Sequence, residues 1–307
     1  MRKATATKDL LRPADLDARG MRHVLRLAAA MKAAPAEWSN TLSSQTVACV
    51  FPGPPAPTDM SFEAAVHRLG ALPLRILPED RPAGPNGPIP ETARVLAGYC
   101  AAIAVRTVEQ AAVEAYATAS SIPVINALTD LHRPCQSLAD LLTLRERFGR
   151  LDGLRLAFVG QGNGVANSLI EACAISGIGI AVATAPDEPP DADVVARART
   201  VAARFGERVE LTSDPREAVA GADAVYTTAW SGRERADRAR RYRVDRALMH
   251  EASPAAVFLH CLPARRGEEV TAEVLDGPRS LAIQQAHNRL PVEEAVLHTL
   301  ITDDWGA

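Results

Sequence analysis

The chain has 307 residues, a formal net charge of −3 and five cysteines. The slight negative charge argues against nucleic acid and acidic membrane surfaces as partners. There is no signal-peptide pattern and no apolar run of roughly 18 residues, so we expect a cytoplasmic protein that does not contact a membrane. None of the cysteines has the close spacing of a zinc or redox motif, and we therefore expect no metal site.

Short apolar runs alternate with longer segments of helical period along almost the whole chain. The runs predict strands at residues 46–51, 72–77, 102–106, 123–127, 155–160, 179–185, 209–213, 224–228 and 256–261. The segments between them predict helices that include residues 91–99, 108–119, 136–148, 165–176 and 190–205. This alternation is typical of parallel sheets covered by helices on both faces, and it predicts an α/β fold.

A change in composition at residues 147–155 predicts the boundary between two doubly wound domains, each a parallel sheet flanked by helices. The first domain spans 1–148 and is completed by a C-terminal helix over 284–303, whereas the second spans 149–283. The proline- and glycine-rich stretch 77–90 predicts a mobile loop. Two such domains commonly bind ligands in the cleft between them, at the carboxyl ends of the strands, so the residues after each strand are the first candidates for a site.

The first predicted strand leads directly into a helix. The apolar positions of that helix are Met60, Phe62, Ala65, Val66 and Leu69. A junction of this kind usually binds an anion, because free backbone N–H groups and the positive end of the helix meet there. Here the prolines at positions 52, 54, 55 and 57 have no N–H to donate, and Asp59 adds a negative charge at the helix start.

The sequence FVGQGNGVANS, residues 158–168, follows a strand and opens a helix. Its glycines resemble a loosened dinucleotide fingerprint, and Asp187 lies about where a ribose-binding acid would be expected. A glycine turn also occurs wherever the backbone must bend sharply toward any ligand. We favour this second interpretation over a nicotinamide or flavin site.

The sequence FLHCLPARRGEEV, residues 258–270, places His260 and Cys261 at the end of a buried strand, with Pro263 fixing the turn that follows. A nucleophilic cysteine needs a base beside it, but neighbouring residues on a strand point to opposite faces. A covalent cysteine mechanism is therefore disfavoured, and simple packing of Cys261 stays open as an alternative.

Three further polar residues stand where predicted strands end or where the helices after them begin. Arg106 ends a strand that is otherwise apolar, so its charge must face a site or carry a high cost of burial. Arg133 and Gln136 stand at the start of the 136–148 helix, where they could bind a phosphate or an amide oxygen, or simply cap the helix.

In this order, the motifs resemble those of the aspartate/ornithine carbamoyltransferase family, and most closely its ornithine branch. The resemblance extends from about residue 8 to residue 302 and rests on the segments SFEAAVHRLGA, PIPETARVLAGYCAAIAVRT, SIPVINALTDLHRPCQSLADLLTLRE, FVGQGNGVANSLI, VYTTAWSG, FLHCLPARRGEEVTAEVLDGPRS and QQAHNRLPVEEAVL. It implies a first domain that binds carbamoyl phosphate and a second that binds an amino acid. It also implies trimers with the active site at the subunit boundary, and chemistry that uses no metal or cofactor.

The resemblance implies that Arg106, Gln136, the Cys261–Leu262–Pro263 turn and Arg289 contact the carbamoyl and phosphate groups of the donor. The family's Ser-Thr-Arg-Thr-Arg phosphate motif aligns with residues 55–59, where both arginines are lost and only Thr58 is kept. On this alignment most of the ordinary affinity for carbamoyl phosphate would disappear. Arg133 takes the place of a family histidine, with His132 just before it, and could polarise the same carbonyl or hold a differently placed anion.

The residues implied for the amino-acid side have also changed. The family's Asp-x-x-Asn-Asn motif keeps Asn163 but lacks the asparagine that would hold the substrate carboxylate. Thr228 stands where the family has the aspartate that binds the α-ammonium group, and a Ser-Met-Gly segment is shortened at Ser231. Cys261, which in the ornithine branch lies beside the reacting amine, is kept.

Three interpretations stay open. We favour a transferase of this family whose donor, acceptor or both are altered. The second is a non-catalytic relative that binds a small ligand or an active partner subunit. The third is ordinary ornithine carbamoyltransferase activity, which would need Arg133 or a loop of a neighbouring subunit to replace the lost arginines. For the transferase we expect small-molecule substrates, namely a phosphorylated donor and an amino-acid-like amine, and a homotrimer or a multiple of trimers.

Overall fold

The computed structural model describes residues 7–54, 56–77, 88–231 and 235–306. The chain divides into two compact units: unit 1 comprises Met1–Leu138 and Arg289–Ala307, and unit 2 comprises Ala139–Asn288. Most of the loop predicted at 77–90 lies outside the described residues.

Unit 1 is built on a parallel sheet. Its strands are β1 (Thr46–Val50), β2 (Leu72–Ile76), β3 (Ala102–Arg106) and β4 (Val124–Leu128). They lie in the order β2-β1-β3-β4, and each neighbouring pair is parallel. Its helices are α1 (Ala18–Ala33), α2 (Pro57–Arg68), α3 (Ile89–Ala97), α4 (Gln110–Ala119) and the start of α5 (Pro134–Phe148).

The strands at the centre of this sheet are apolar along almost their whole length. In β1 and β3 every residue except Thr46 and Arg106 is buried, as expected for parallel strands with helices on both faces. In the edge strand β2, by contrast, Leu72 and Leu74 are exposed. Arg106 is therefore the one charged residue of β3, and it stands at the carboxyl edge of the sheet.

Helix α2 packs one face into unit 1. Phe62, Ala65, Val66 and Leu69 are buried, and their spacing of three and four residues places them on a single face. Phe62 contacts Phe51 edge to face, with ring centroids 6.1 Å apart. Met60, which we included in the apolar face, is 66% exposed. Its position two residues before Phe62 puts it on the opposite side of the helix.

Unit 2 is built on a second parallel sheet. Its strands are β5 (Arg155–Val159), β6 (Gly179–Ala183), β7 (Val209–Thr212), β8 (Ala224–Thr227) and β9 (Val257–His260). They lie in the order β7-β6-β5-β8-β9, again with parallel neighbours. Its helices are α6 (Gly164–Ser176), α7 (Ala192–Ala202), α8 (Pro215–Val219), α9 (Arg235–Arg241), α10 (Arg246–Glu251), α11 (Ala272–Leu275) and the start of α12 (Ala282–Thr302).

The sequence predicted this architecture well. An α/β fold with two parallel, helix-flanked sheets is confirmed, and each predicted strand occurs with ends that differ by at most two residues. The helix starts at 89 and 134 come two residues earlier than predicted. In both cases the extra residues include a proline, which is tolerated in the first turn because its missing N–H would have no intrahelical partner.

Candidate active site

The residues of unit 1 that we assigned to a donor site follow its strands at the carboxyl edge. Arg106 ends β3, Thr58 lies in the first turn of α2 after β1, and Arg133 and Gln136 flank the start of α5 after β4. The carboxyl ends of parallel strands face the same edge of the sheet, so these residues converge there. Thr58 and Gln136 are buried.

Asp59 is the centre of an ion-pair cluster in unit 1. Its side chain is 0% exposed. Arg106 contacts both carboxylate oxygens, with Nε 2.7 Å from Oδ1 and Nη2 donating to Oδ2 at 3.0 Å. Arg75 also donates to Oδ2, at 3.1 Å, and pairs with Glu63 at 2.9 Å. We expected Asp59 to place a repelling charge at the junction, but the two arginines enclose it within unit 1.

Two prolines of the junction, Pro52 and Pro54, also contact Arg106. Its Nη2 donates to the carbonyl oxygens of Pro52 at 2.7 Å and Pro54 at 3.3 Å. At the helix start, the Ala56 N–H donates to Asp59 Oδ2 at 3.2 Å, which caps α2 and places the carboxylate at its positive end. The segment thus lacks amide donors at its prolines but presents carbonyl acceptors to an arginine.

Arg289 has a buried carboxylate partner as well. Its Nη2 lies 3.3 Å from Oε1 of Glu293, one helical turn later in α12, and Ser61 donates to the same oxygen at 3.1 Å. Burial raises the pKa of Glu293 to about 7, although Arg289 and Ser61 act in the opposite direction. Sequence reasoning missed Glu293, because an acid in a helical pattern is ordinarily read as a solvent-facing residue.

A buried polar cluster holds the turn before α5. The Thr129 N–H and the Asn126 side chain donate to the His132 carbonyl oxygen at 3.0 Å and 3.2 Å, and the Thr129 hydroxyl donates to Gln110 at 2.7 Å. His132 itself is buried, whereas Arg133 is partly exposed. The cluster therefore fixes the backbone from which Arg133 and the first turn of α5 project.

In unit 2, Asn163 is the N-cap of α6. Its Oδ1 accepts from the N–H groups of Val165 at 3.0 Å and Ala166 at 3.3 Å, and its Nδ2 donates to Thr228 Oγ1 at 3.1 Å. Two of the residues that we assigned to the amino-acid side are thus in contact. Capping already occupies the Asn163 side-chain oxygen, so its amide group is the part that can serve a ligand.

The glycine turn before α6 is explained by packing. A Cβ atom at Gly162 would lie 2.2 Å from the backbone of Pro189 and Pro190, so only glycine fits there. Asp187, considered as a ribose-binding acid, is paired with Arg238 at 2.6 Å. Neither observation supports the dinucleotide interpretation, which we had disfavoured.

Gln161 holds Ser231 in place. Its Oε1 accepts from the Ser231 N–H at 2.8 Å and lies 3.2 Å from the hydroxyl oxygen, while its Nε2 donates to the Ser231 carbonyl oxygen at 3.1 Å and to Glu188 at 3.0 Å. Sequence reasoning did not select Gln161. Its position directly after Gly160, the residue that follows β5, was a usable signal.

The turn after β9 is anchored by His260. Its Nδ1 accepts from the Leu262 N–H at 2.9 Å, so the ring proton lies on Nε2, which is 3.2 Å from Glu269 Oε1. Burial disfavours the charged form of Glu269, but the bonds from His260 and the Arg265 N–H outweigh it and lower the pKa of this carboxyl group. Leu262 has a φ of +51°, an uncommon conformation that the His260 bond supports.

Cys261 differs from the other cysteines because it is partly exposed, while Cys49, Cys100, Cys135 and Cys173 are buried. Both ring nitrogens of His260 are bonded within the turn and to Glu269, so His260 cannot serve as the base for a Cys261 nucleophile. This agrees with the sequence analysis, which disfavoured a covalent cysteine mechanism. The positions of Cys261 and Leu262 in a fixed turn fit a role in binding instead.

Two further properties concern the part of the chain that the structure describes. Within it, no group of three or more His, Cys, Asp or Glu residues is arranged to hold a metal ion. No helix there is both long and apolar enough to cross a membrane.

Comparisons with known proteins cover nearly the whole chain. A family model described as the carbamoyl-P binding domain of aspartate/ornithine carbamoyltransferase matches residues 8–146, and its Asp/Orn binding domain matches residues 152–300. The ornithine carbamoyltransferase of Gloeobacter violaceus is 44% identical over 300 residues, which are 95% of each chain. The Acidothermus cellulolyticus enzyme of the same name is 46% identical over 264 residues, 84% of this chain and 85% of its own.

Solved structures give the same result. The crystal structure of the Gloeobacter violaceus ornithine carbamoyltransferase has a TM-score of 0.89 at 43% identity and covers 96% of this chain and 99% of its own. The Pyrococcus furiosus enzyme has a TM-score of 0.92 at 37% identity, with coverage of 96% and 97%. Sequence and fold therefore agree over both units, and the chain belongs to the aspartate/ornithine carbamoyltransferase family.

Proposed function

We propose that the protein is an ornithine carbamoyltransferase, which moves the carbamoyl group of carbamoyl phosphate to the side-chain amine of ornithine. The observation that carries this proposal is the similarity to ornithine carbamoyltransferases, at 44% identity over 95% of the chain. This similarity favours the ordinary activity over the altered specificity that we preferred from the sequence.

In the reaction, the amine nitrogen attacks the carbonyl carbon of the donor and forms a C–N bond. The C–O bond to phosphate then breaks, phosphate leaves with the electron pair, and the nitrogen loses a proton. This chemistry needs no cofactor. Catalysis depends on proximity of the two substrates and on fixed charges around the carbonyl oxygen and the leaving phosphate.

We assign the donor to unit 1, where Arg106 and Arg289 bind the phosphate and Arg133 and Gln136 polarise the carbamoyl carbonyl. Thr58 and His132 line the same edge of the sheet. The support for all of these residues except Arg289 is their position at or after the carboxyl ends of the strands of unit 1. Arg289 lies in α12, and its support is that it shares the Glu293 carboxylate with Ser61 of α2.

We assign the amino acid to unit 2, where Asn163, Thr228 and Ser231 bind its polar groups. Within unit 2, the Cys261–Leu262 turn lies beside the reacting amine of the amino acid. The support is the Asn163–Thr228 contact and the exposure of Cys261. We also propose the limits 1–148 with 284–303 for the donor domain and 149–283 for the acceptor domain, a homotrimer, and a cytoplasmic location.

Two observations favour a second candidate function. Arg106, the main donor-site cation, is bound to the buried carboxylate of Asp59, and Thr228 has no charge to offer an α-ammonium group. These features fit a member of the family with an altered donor or acceptor, or one that binds a ligand or an active partner without catalysis.

The test is formation of citrulline from carbamoyl phosphate and ornithine by the purified protein. We expect turnover that falls at least about a hundredfold in Arg106→Gln, because a lost charged contact in the transition state has this magnitude. The matched control is Arg155→Gln. Arg155 is the first residue of β5 in unit 2, at the end of the strand opposite to its carboxyl end, and it pairs with Glu210. This variant should retain full activity.

No citrulline from the wild type would contradict the proposal. The second candidate predicts this result, together with a thermal shift on addition of another anion or amino acid. Co-purification with an active homologue would then favour the non-catalytic role.

A further inference from the structure

The donor-site arginine of unit 1 already has an anion bound to it. Arg106 uses Nε and Nη2 to contact the two oxygens of Asp59, at 2.7 Å and 3.0 Å. Nη2 donates a hydrogen bond to Oδ2, whereas Nε and Oδ1 form an ion contact without hydrogen-bond geometry. Arginine binds carboxylates and phosphates through this same edge of its guanidinium group. The Asp59 carboxylate therefore occupies the guanidinium edge that a phosphate would use.

The environment makes this contact strong. Asp59 is 0% exposed and the Arg106 side chain is 18% exposed, so water screens the pair little. Nη2 of Arg106 also donates to the carbonyl oxygens of Pro52 and Pro54. An anion that binds this edge of the Arg106 guanidinium group must displace three acceptors, namely the Asp59 carboxylate and the carbonyl oxygens of Pro52 and Pro54. None of these three acceptors contacts Nη1.

The local charges are balanced without a ligand. Arg75 and Arg106 contribute two positive charges, and Asp59 and Glu63 contribute two negative ones. An incoming phosphate would add negative charge beside a buried carboxylate, which opposes its binding. A favourable anion site requires an excess of positive charge, and this part of the junction has none.

We propose that Asp59 determines donor affinity by competing with the donor's phosphate for Arg106. This inference rests on the proposed function. The donor binds when Arg106 leaves Asp59, and the free energy of that exchange weakens the binding. Asp59 is a specificity-determining residue, since the exchange penalises ligands in proportion to the negative charge that they bring to the junction.

The experiment compares Asp59→Asn with the wild type by isothermal titration with carbamoyl phosphate. Asparagine keeps an oxygen to accept from the Ala56 N–H but removes the competing charge. We expect carbamoyl phosphate to bind about tenfold to a hundredfold more tightly, as removal of one charged hydrogen-bond partner implies. In turnover, KM for carbamoyl phosphate should fall by a similar factor, while KM for ornithine stays unchanged.

The matched control is Glu63→Gln. Glu63 belongs to the same cluster and contacts Arg75, so this variant removes an equal charge without freeing Arg106. We expect its affinity for carbamoyl phosphate to change less than about threefold. Equal effects of the two variants would overturn the proposal, because general electrostatics rather than competition for Arg106 would then explain them. Unchanged or weaker binding by Asp59→Asn would also overturn it.

A structure of the wild type with carbamoyl phosphate tests the same exchange if Asp59→Asn does not fold. We expect Arg106 to contact the ligand's phosphate and to have left Asp59. Retention of both Arg106–Asp59 contacts in the complex would refute the competition. The proposed function fails separately, by absence of citrulline from a protein that binds carbamoyl phosphate.

Discussion

Replacement of Glu293 by glutamine tests the energetic consequence of burying an acid in α12. Glu293 is 0% exposed, and its pKa rises from an ordinary 4.5 to about 7 because burial disfavours the charged form more than Arg289 and Ser61 favour it. At about 1.4 kcal/mol per pH unit, ionisation at high pH costs the folded protein about 3 kcal/mol.

The direction in which the free energy of unfolding changes with pH depends on whether the folded or the unfolded state ionises first. Between pH 4.5 and about 7 the unfolded chain has lost this proton while the folded protein keeps it, so the free energy of unfolding falls as the pH rises. Below 4.5 both states are protonated and the effect is absent. Glutamine resembles the protonated carboxyl group and does not ionise, so Glu293→Gln should lose this contribution to the pH dependence.

Urea denaturation followed by circular dichroism provides the measurement. Relative to the wild type, Glu293→Gln should gain about 2–3 kcal/mol of stability between about pH 5 and pH 8. Glu294 also has a pKa raised by burial to about 7, but it is present in both proteins and cancels in the comparison. The control Glu273→Gln alters an exposed side chain and should change stability by less than about 0.5 kcal/mol at both pH values. A stability difference between Glu293→Gln and the wild type that does not vary with pH would refute the reasoning.

Two further predictions concern single side chains. Phe62→Ala should lower the free energy of unfolding by about 3–5 kcal/mol, because it opens a cavity beside Phe51; a loss below about 1 kcal/mol in denaturant titrations would contradict this packing. Glu269→Gln should cost about 1–3 kcal/mol at neutral pH by weakening the bonds from His260 and the Arg265 N–H. Because the pKa of Glu269 is lowered, that cost should shrink as the pH falls below 4.5 and the wild-type acid is protonated; a cost that persists in acid would show that the charge is not responsible.

Local patterns in the sequence were sufficient to predict the elements. Buried strands such as β1 and β3 are short apolar runs, and the buried face of α2 follows the helical spacing from Phe62 to Leu69. These signals are read within a few residues, because side-chain direction repeats every two residues in a strand and every 3.6 in a helix. The one error in α2, Met60, came from including an apolar residue outside that spacing.

The sequence also indicated several candidate site residues by position. Arg106, Gln136 and Cys261 stand where strands end or the following helices begin, and that edge of a parallel sheet is where ligands bind. Position did not reveal how these side chains are held. His260 and Glu269 are nine residues apart, and Gln285, which accepts from the His260 N–H at 2.9 Å, is 25 residues away.

The surroundings of Asp59 could be found only from the folded chain. From the sequence alone, an aspartate after proline residues at a helix start is a charge that repels anions. The strand order β2-β1-β3 places Arg75 of β2 and Arg106 of β3 on either side of the chain that leaves β1, although they are 16 and 47 residues from Asp59. A charge can be buried only when such partners reach it, and here the order of the strands supplies two. Which groups occupy the junction can be read from the order of residues along the chain, but their contacts with one another depend on the fold.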